Sequence, residues 1–394
     1  MQSFNFSLPT ELVFGNGRRT QFIDYVKAFN PSKVMILYGG NSIIRSGLLD
    51  LIHSELDNAA ISYYDLGGVK PNPSVSLVRE AIEICRKENV DFILACGGGS
   101  VIDSGKAIAA GVSAEDDIWD IISEYRPVAE ALPIGVILTL PATASESGAA
   151  FVITNDETQQ KLLTASPAVR PKFAVIDPEL YLTIPPKVYW PGICDMLSHV
   201  IERYFSSEPK TELTDGICES VMRNIIRNAN RLLKGENTLD VWAELSLSAN
   251  MAHNGICGWG RNPDWSCHMI EHEMSALYHV THGAGLTVIT PAWMKYIYKM
   301  HIPMFAQFAI NVMGVEANTR NLEEIAEAGI ARLEDFYRSC NMPTKLEQIG
   351  ITDDSRFEEL AKRAVGYDYN PDSRLGTLMP LSWENVVEIL QLAR

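Results

Sequence analysis

Residues 90–103 read Val-Asp-Phe-Ile-Leu-Ala-Cys-Gly-Gly-Gly-Ser-Val-Ile-Asp. Val90 to Cys96 is a short, almost unbroken apolar run, as expected of a strand buried on both faces of a parallel sheet. Gly97-Gly98-Gly99-Ser100 follows at once, and a helical pattern opens at Val101-Ile102-Asp103. Glycine lets the backbone approach a ligand, and a helix N-terminus offers free N–H groups at the positive end of its dipole. A tight turn needing positive φ would account for one glycine. Three in a row followed by serine favour contact with a phosphate. The order is not G-x-G-x-x-G, so the ordinary dinucleotide fingerprint is absent.

Working outward, Lys33 to Tyr38 reads as a second buried strand, followed by Gly39-Gly40-Asn41-Ser42. Ile134 to Leu140 is a third, running into Pro141-Ala142-Thr143-Ala144-Ser145-Glu146, and Ala174 to Asp177 is a fourth. Ser76 to Glu88, after Pro73-Ser74, has a helical pattern. Strands alternating with helices predict a Rossmann-like α/β domain, with a mainly parallel sheet that binds ligands at the carboxyl ends of its strands. A NAD site usually places a carboxylate where the adenosine ribose sits. Gly39-Gly40-Asn41-Ser42 has none, which leaves room for a 2′-phosphate and favours NADP over NAD. Lys161 would reach a phosphate or the nicotinamide ribose, and a solvated loop lysine is an equal reading.

At 394 residues the chain exceeds one ordinary hydrophobic core, so two domains are expected. With 33 basic and 49 acidic residues it has a net charge of −16, which argues against nucleic acid or an anionic membrane as partner. Any anionic cofactor must then be held by local amides and a few placed cations. No secretory signal and no membrane span is expected from the apolar runs. Seven cysteines without a C-x-x-C pair suit a reducing cytoplasm and offer no thiolate zinc site. Cys194 and Cys267 adjoin Asp195 and His268 and are read as packing residues.

Asp195 and His199 would share one helix face, one turn apart. With His268 and His282 they make a carboxylate-plus-imidazole set suited to one divalent ion, Fe2+, Zn2+, Mn2+ or Co2+. Fourteen helical residues rise roughly 21 Å, so His268 and His282 can share an ion only if the chain reverses between them. Tyr278 to Thr281, before His282-Gly283-Ala284-Gly285, is the expected reversal, and its glycines permit a tight turn or close packing. Each histidine has a plainer reading as a packed or surface residue. His272, four residues after His268, would relay a proton or merely position a neighbour. Trp259 and Trp265 would wall an apolar pocket or fill a helical core. With no cation evidently placed for an anionic substrate, small neutral aldehydes and alcohols are expected.

Together these stretches resemble the iron-containing (group III) alcohol dehydrogenase family, in its NADPH-dependent butanol dehydrogenase and aldehyde reductase branch. The likeness runs through Phe14-Gly15-Asn16-Gly17, Gly39-Gly40-Asn41-Ser42, Pro71-Asn72-Pro73, Gly97-Gly98-Gly99-Ser100 with Asp103 and Lys106, and Thr139 to Glu146. It continues through Asp195-x-x-x-His199, Asp264-Trp265, His268, Glu271-His272, Tyr278 and His282-Gly283-Ala284-Gly285. The resemblance implies a dinucleotide-binding α/β domain (1–187) and an all-helical metal-binding domain (188–394), with Pro185-Pro186 and Pro191-Gly192 at the junction. It implies that Asp195, His199, His268 and His282 hold one metal. It further implies that the glycine-serine loops, Asp103, Thr139, Thr143 and Lys161 hold NADP. Homodimers are common in the family, so a homodimer is expected, with the cytoplasm indicated by the cysteine usage above. A dehydroquinate synthase-like or glycerol dehydrogenase-like enzyme using NAD is the alternative on the same fold. Two positions depart from the branch: Pro263, where a glycine is usual, and His279, where aspartate is usual.

Overall fold

A computed structural model describes residues 1–317, 321–366, 370 and 372–394. The strands are β1 (Glu11–Phe14), β2 (Lys33–Tyr38), β3 (Ser62–Leu66), β4 (Phe92–Gly97), β5 (Ile134–Leu138), β6 (Ala150–Asn155), β7 (Gln160–Ala165) and β8 (Phe173–Ile176). Between them run helices α1 (Phe22–Phe29), α2 (Ser42–Arg45), α3 (Leu48–Asn58), α4 (Val75–Glu88), α5 (Gly99–Ser113) and α6 (Ile118–Ser123). Beyond them lie α7 (Pro186–Tyr204), α8 (Glu212–Leu233), α9 (Leu239–His253), α10 (Ser266–Tyr278) and α11 (His282–Ile297). Then come α12 (Ile302–Asn311), α13 (Leu322–Ser339), α14 (Phe357–Val365) and α15 (Trp383–Leu392).

Six strands form one parallel sheet in the order β1-β8-β5-β4-β2-β3, and β6 and β7 pair as a separate antiparallel ribbon. Central β4 registers Ile93 against Met35 of β2 and Ile134 of β5, which is why its sequence is apolar throughout. α4 shows how the helices attach. The Ser74 hydroxyl accepts from Ser76 N–H at 3.3 Å to cap it, and Asn89 ends it at a left-handed φ of 54°. Between these caps Val75, Val78, Ala81, Ile82 and Cys85 recur at helical spacing and are buried. From β2 the chain steps outward to β3, then returns to β4 on the other side of β2. The loops after β2, β4 and β5 therefore leave three adjacent parallel strands at one edge, two of them flanking the switch point.

Two compact units emerge: Ser7–Ile184 with Thr238–Asn250, and Met1–Phe6 with Pro185–Asn237 and Met251–Arg394. Two segments thus fall outside the division expected at 187/188. Most of α9, through Asn250, joins the sheet unit, where Trp242 packs on Tyr181 with centroids 5.9 Å apart and Asn250 donates to Glu146 at 2.7 Å. The first residues join the helical unit, where Phe4 stacks on Trp259 at 5.8 Å. Pro191-Gly192 also lies inside α7, whose first residue is Pro186, and not at the junction.

In the helical unit α7 packs on α8 and α11, and α10 on α11 and α14. Gly283 and Gly285 make this possible by lacking side chains, since neither has a positive φ. A Cβ on Gly283 would fall 2.1 Å from the Pro191 carbonyl oxygen of α7, and one on Gly285 would fall 2.7 Å from Glu271 Cγ of α10. Close packing, not a turn, is what these glycines serve. Because a backbone oxygen cannot yield, Gly283→Ala is expected to destabilise the helical unit by about 3 kcal/mol in denaturant titration. Gly216→Ala at an exposed position of α8, where a Cβ meets nothing within 4 Å, should instead stabilise it by about 1 kcal/mol.

Candidate functional site

Asp195 and His199 lie one turn apart on α7, each only 3% exposed. The chain reverses between His268 and His282: α10 stops at Tyr278, His279 takes a left-handed φ of 56°, and His282 opens α11. Asp195 Oδ1 then stands 3.6 Å from His199 Nδ1, 3.7 Å from His268 Nε2 and 3.7 Å from His282 Nε2. These separations are too long for hydrogen bonds. They suit ligands of one ion, because two donors about 2.1 Å from a tetrahedral metal stand about 3.4 Å apart. Asp195 Oδ1, His199 Nδ1 and His268 Nε2 are buried without hydrogen-bond partners, an arrangement costing about 1–3 kcal/mol per atom unless a cation fills the gap. Asp195, His268 and His282 have ligand atoms within 4.8 Å of one another and fit a divalent metal, and His199 stands beside Asp195 on the same helix.

Two further carboxylates orient the imidazoles. Glu202 of α7 and Glu271 of α10 are fully buried and bond His268 Nδ1 and His282 Nδ1 respectively. Holding the proton on Nδ1 leaves Nε2 as a lone pair facing Asp195. Glu202 also accepts from Cys267 N–H at 2.6 Å, while Glu271 bonds Ser275, whose hydroxyl reaches the Val280 carbonyl at 3.0 Å. The α10–α11 turn is thereby tied to His282 through Glu271 and Ser275. Burial, then the neighbouring His253 and His268, hold His199 well below the ordinary imidazole range. Burial also pushes His268 down, but the Glu202 carboxylate and contacts with Asp195 outweigh it and bring its pKa to about 9. Three buried carboxylates in one place draw in positive charge, whether proton or metal.

His282, with 25% of its side chain exposed against 6% for His268, marks the open side. His272 is buried, with its ring 5.6 Å from that of His282 and a nitrogen within 4.8 Å of ligand atoms of Glu271 and His282. Trp265 takes a left-handed φ of 64° just before α10, a strained conformation for so large a residue. The Arg203 guanidinium covers it at 4.4 Å, and it meets the His268 ring edge-on at 5.1 Å. Trp259 is a packing residue, covered by Phe4 and Phe6. Arg261, before the departure at Pro263, donates to the Arg203 and Tyr204 carbonyls at 3.1 and 3.2 Å, capping α7. His279 is exposed, and its left-handed backbone is one that Asp, Asn and His all tolerate.

Sequence reasoning missed Glu202, Glu271 and His253. Glu202 lies three residues after His199, and Glu271 three after His268, so a carboxylate on the ligand face of each helix was the available signal. His253, whose ring centre is 4.2 Å from that of His199, comes from α9 and had no spacing to reveal it.

In the sheet unit the three loops at the carboxyl edge carry the expected nucleotide residues. α5 starts at Gly99, two residues earlier than its pattern suggested, and none of Gly97, Gly98 and Gly99 has a positive φ. Their role is close approach: a Cβ on Gly99 would fall 2.7 Å from Thr143 Oγ1, and one on Gly98 3.0 Å from Leu140 Cβ. Thr139 N–H donates to the Gly97 carbonyl at 3.0 Å. Asn41 precedes α2 without a side-chain capping bond and Ser42 begins it, so Gly39-Gly40-Asn41-Ser42 leads from β2 into a short helix. Asp103 lies inside this frame, with its oxygens accepting from Ser145 Oγ at 2.5 Å and Val152 N–H at 3.0 Å. Lys161 is buried on β7, opposite Thr154. Asp65, on edge strand β3, contacts His53 Nε2 at 3.0 Å.

Comparison with known proteins places the chain in a family. Residues 9–178 match the iron-containing alcohol dehydrogenase pattern, and residues 191–393 match the C-terminal pattern of the Fe-containing alcohol dehydrogenase family. NADH-dependent butanol dehydrogenase A of Clostridium acetobutylicum is 40% identical over 99% of both chains. NADPH-dependent aldehyde reductase YqhD of Escherichia coli is 32% identical over 92% of this chain and 93% of its own. The crystal structure of NADH-dependent butanol dehydrogenase A from Thermotoga maritima superposes with a TM-score of 0.94 at 37% identity, covering 100% of this chain and 99% of that one. The chain belongs to the iron-containing alcohol dehydrogenase family.

Proposed function

We propose that this protein is a metal-dependent alcohol dehydrogenase and aldehyde reductase, moving hydride between NADP(H) and small neutral alcohols and aldehydes. The observation that carries the reading is the convergence of Asp195, His199, His268 and His282, three of them with a buried ligand atom that no hydrogen bond satisfies. These four hold one divalent ion, Fe2+ or Zn2+, with Mn2+ and Co2+ as further candidates. When bound, the metal supplies Lewis acidity at the substrate oxygen and the nicotinamide supplies or takes the hydride. The protein's own contribution is placement and proton management. Glu202 and Glu271 fix ring orientation, burial of the cluster excludes water, and His272 carries a proton on an imidazole nitrogen between substrate oxygen and solvent. The negative surplus of Asp195, Glu202 and Glu271 disfavours anionic substrates.

Gly39 to Ser42, the glycine-serine turn at 97–100, Thr139, Thr143 and Lys161 make the nucleotide site in this reading. Preference for NADP rests on the absence of a carboxylate at Gly39–Ser42 and on exposed Arg45, whose N–H bonds the Asn41 carbonyl at 3.0 Å and whose side chain lies one turn from that loop. Relatives named for NADH and for NADPH both occur, so their names leave the choice to experiment.

Two measurements test this. NADPH oxidation with butanal should vanish on chelation, return with Fe2+ or Zn2+, and fall at least about 1,000-fold in His268→Ala. NADPH should exceed NADH in kcat/KM, with Arg45→Ala narrowing the gap. Absence of turnover with any short aldehyde would sink the reductase reading, and preference for NADH would sink the cofactor assignment. Glu271→Gln should weaken metal affinity by about 10–100-fold, read by competition with a chromogenic chelator. By contrast His272→Asn should lower kcat by about 100-fold while metal content stays at the wild-type level.

A further inference from the structure

Behind the Gly97–Ser100 segment, α5 carries a lysine with no exposed surface. Lys106 is 0% exposed, and its ammonium donates to the Ser145 hydroxyl and the Ala150 carbonyl, each at 2.8 Å. The Ser145 hydroxyl in turn donates to Asp103 Oδ1 at 2.5 Å, and its N–H reaches Thr143 Oγ1 at 3.2 Å. One helix therefore supplies both charges of a pair, Lys106 buried and Asp103 partly buried, and a serine from the loop after β5 bridges them. Burying an ammonium is costly, and an apolar side chain would fill the same space more cheaply. The charge calls for a reason beyond packing.

Position suggests one. Lys106 is the eighth residue of α5, so its Cα lies about 10 Å from the helix start, and helical side chains lean back toward the N-terminus. Its hydrogen-bond partner Ser145 belongs to the segment that closes on Gly99 through Thr143. The geometry points to Lys106 as a positioning residue for the dinucleotide: bridged to Asp103 through Ser145, it holds the Gly97–Ser100 and Thr139–Ser145 segments as one cradle, and its buried positive charge strengthens the hold on the cofactor's diphosphate. This rests on the nicotinamide-dependent function proposed above. It also makes Asp103 the lysine's partner and not a cofactor contact.

The groups facing Lys106 are Asp103 on its own helix, Glu146 in the loop after β5 and Arg170 before β8, with Lys161 of β7 acting on Asp103. Burial, aided by Arg170, lowers the Lys106 pKa to about 8 against the opposing pull of Asp103 and Glu146. The sign of each pH effect follows. The unfolded chain holds this proton more tightly, so the cost of burying the ammonium is present below pH 8 and is relieved as pH rises from there toward the ordinary lysine value. Stability of the cofactor-free protein should rise through that window. An anionic ligand prefers the ammonium, so cofactor affinity should fall through the same window. A lysine with a merely structural role would move stability alone.

The test is NADPH binding by nucleotide fluorescence to the metal-loaded full-length protein, from about pH 7.5 to about 9.5, above the 2′-phosphate's own titration near 6. Wild-type Kd is expected to rise about tenfold across this range. Lys106→Met should start about tenfold weaker and stay flat with pH, with kcat at saturating NADPH within about threefold of wild type. Ser145→Ala should bind more weakly but keep the pH dependence. Calorimetry in two buffers of different ionisation heat should show proton uptake on binding near pH 8 in wild type and Ser145→Ala. Lys106→Met binding within about twofold of wild type at every pH, or wild-type affinity that is flat while stability rises, overturns the inference. If Lys106→Met does not fold, the wild-type and Ser145→Ala pH profiles decide in the same way. A wild-type protein that binds neither NADPH nor NADH overturns the dehydrogenase reading itself, and this inference with it.

Discussion

Asp195 Oδ1 sits within 3.7 Å of nitrogens from three histidines on three helices, and much of the helical unit is arranged so that this can happen. Atoms of Asp195, His199 and His268 that no hydrogen bond satisfies are a costly thing to bury. Their placement demands that α7, α10 and α11 approach closely and in fixed register. Gly283 against the Pro191 carbonyl and Gly285 against Glu271 supply that approach. Glu202 and Glu271 then fix ring orientation from behind, and Trp265 in its left-handed conformation closes one side under Arg203. Helix packing, ligand tautomer and local strain are consequences of one electrostatic requirement.

The sheet unit follows a comparable logic with opposite charge. Its ligand is expected to be anionic, in a chain whose net charge is −16. The general field therefore opposes binding, and the site depends on backbone amides at helix N-termini, on glycines that bring α5 and the Thr139–Ser145 segment together, and on positive charge placed where it acts. Lys106 is such a charge, sheltered from water by the frame it holds together.

Much of this was legible in the linear sequence, for identifiable reasons. β2, β4 and β5 could be read because strands buried on both faces must be apolar throughout. The loops after them could be read because glycine clusters at strand ends have few physical explanations. The Asp195–His199 pair followed from helical spacing, and the reversal between His268 and His282 followed from the length of fourteen helical residues. Glu202 and Glu271 were legible in principle as carboxylates at ligand spacing, but nothing local distinguishes a buried glutamate from a solvated one.

By itself, then, the sequence determined the class of the fold, the order of its elements, and which residue types were available for metal and nucleotide. Periodicity and turn chemistry are local properties, and they are written in neighbouring residues. Only the tertiary structure decided the rest. It brought His253 beside His199 from a distant helix, placed most of α9 with the sheet unit, and showed that Gly97 to Gly99 serve close approach and not a turn. It also paired Lys106 with Asp103 through a serine thirty-nine residues further on. These are contacts between segments remote in sequence, set by which surfaces must be buried together, and no local pattern records them.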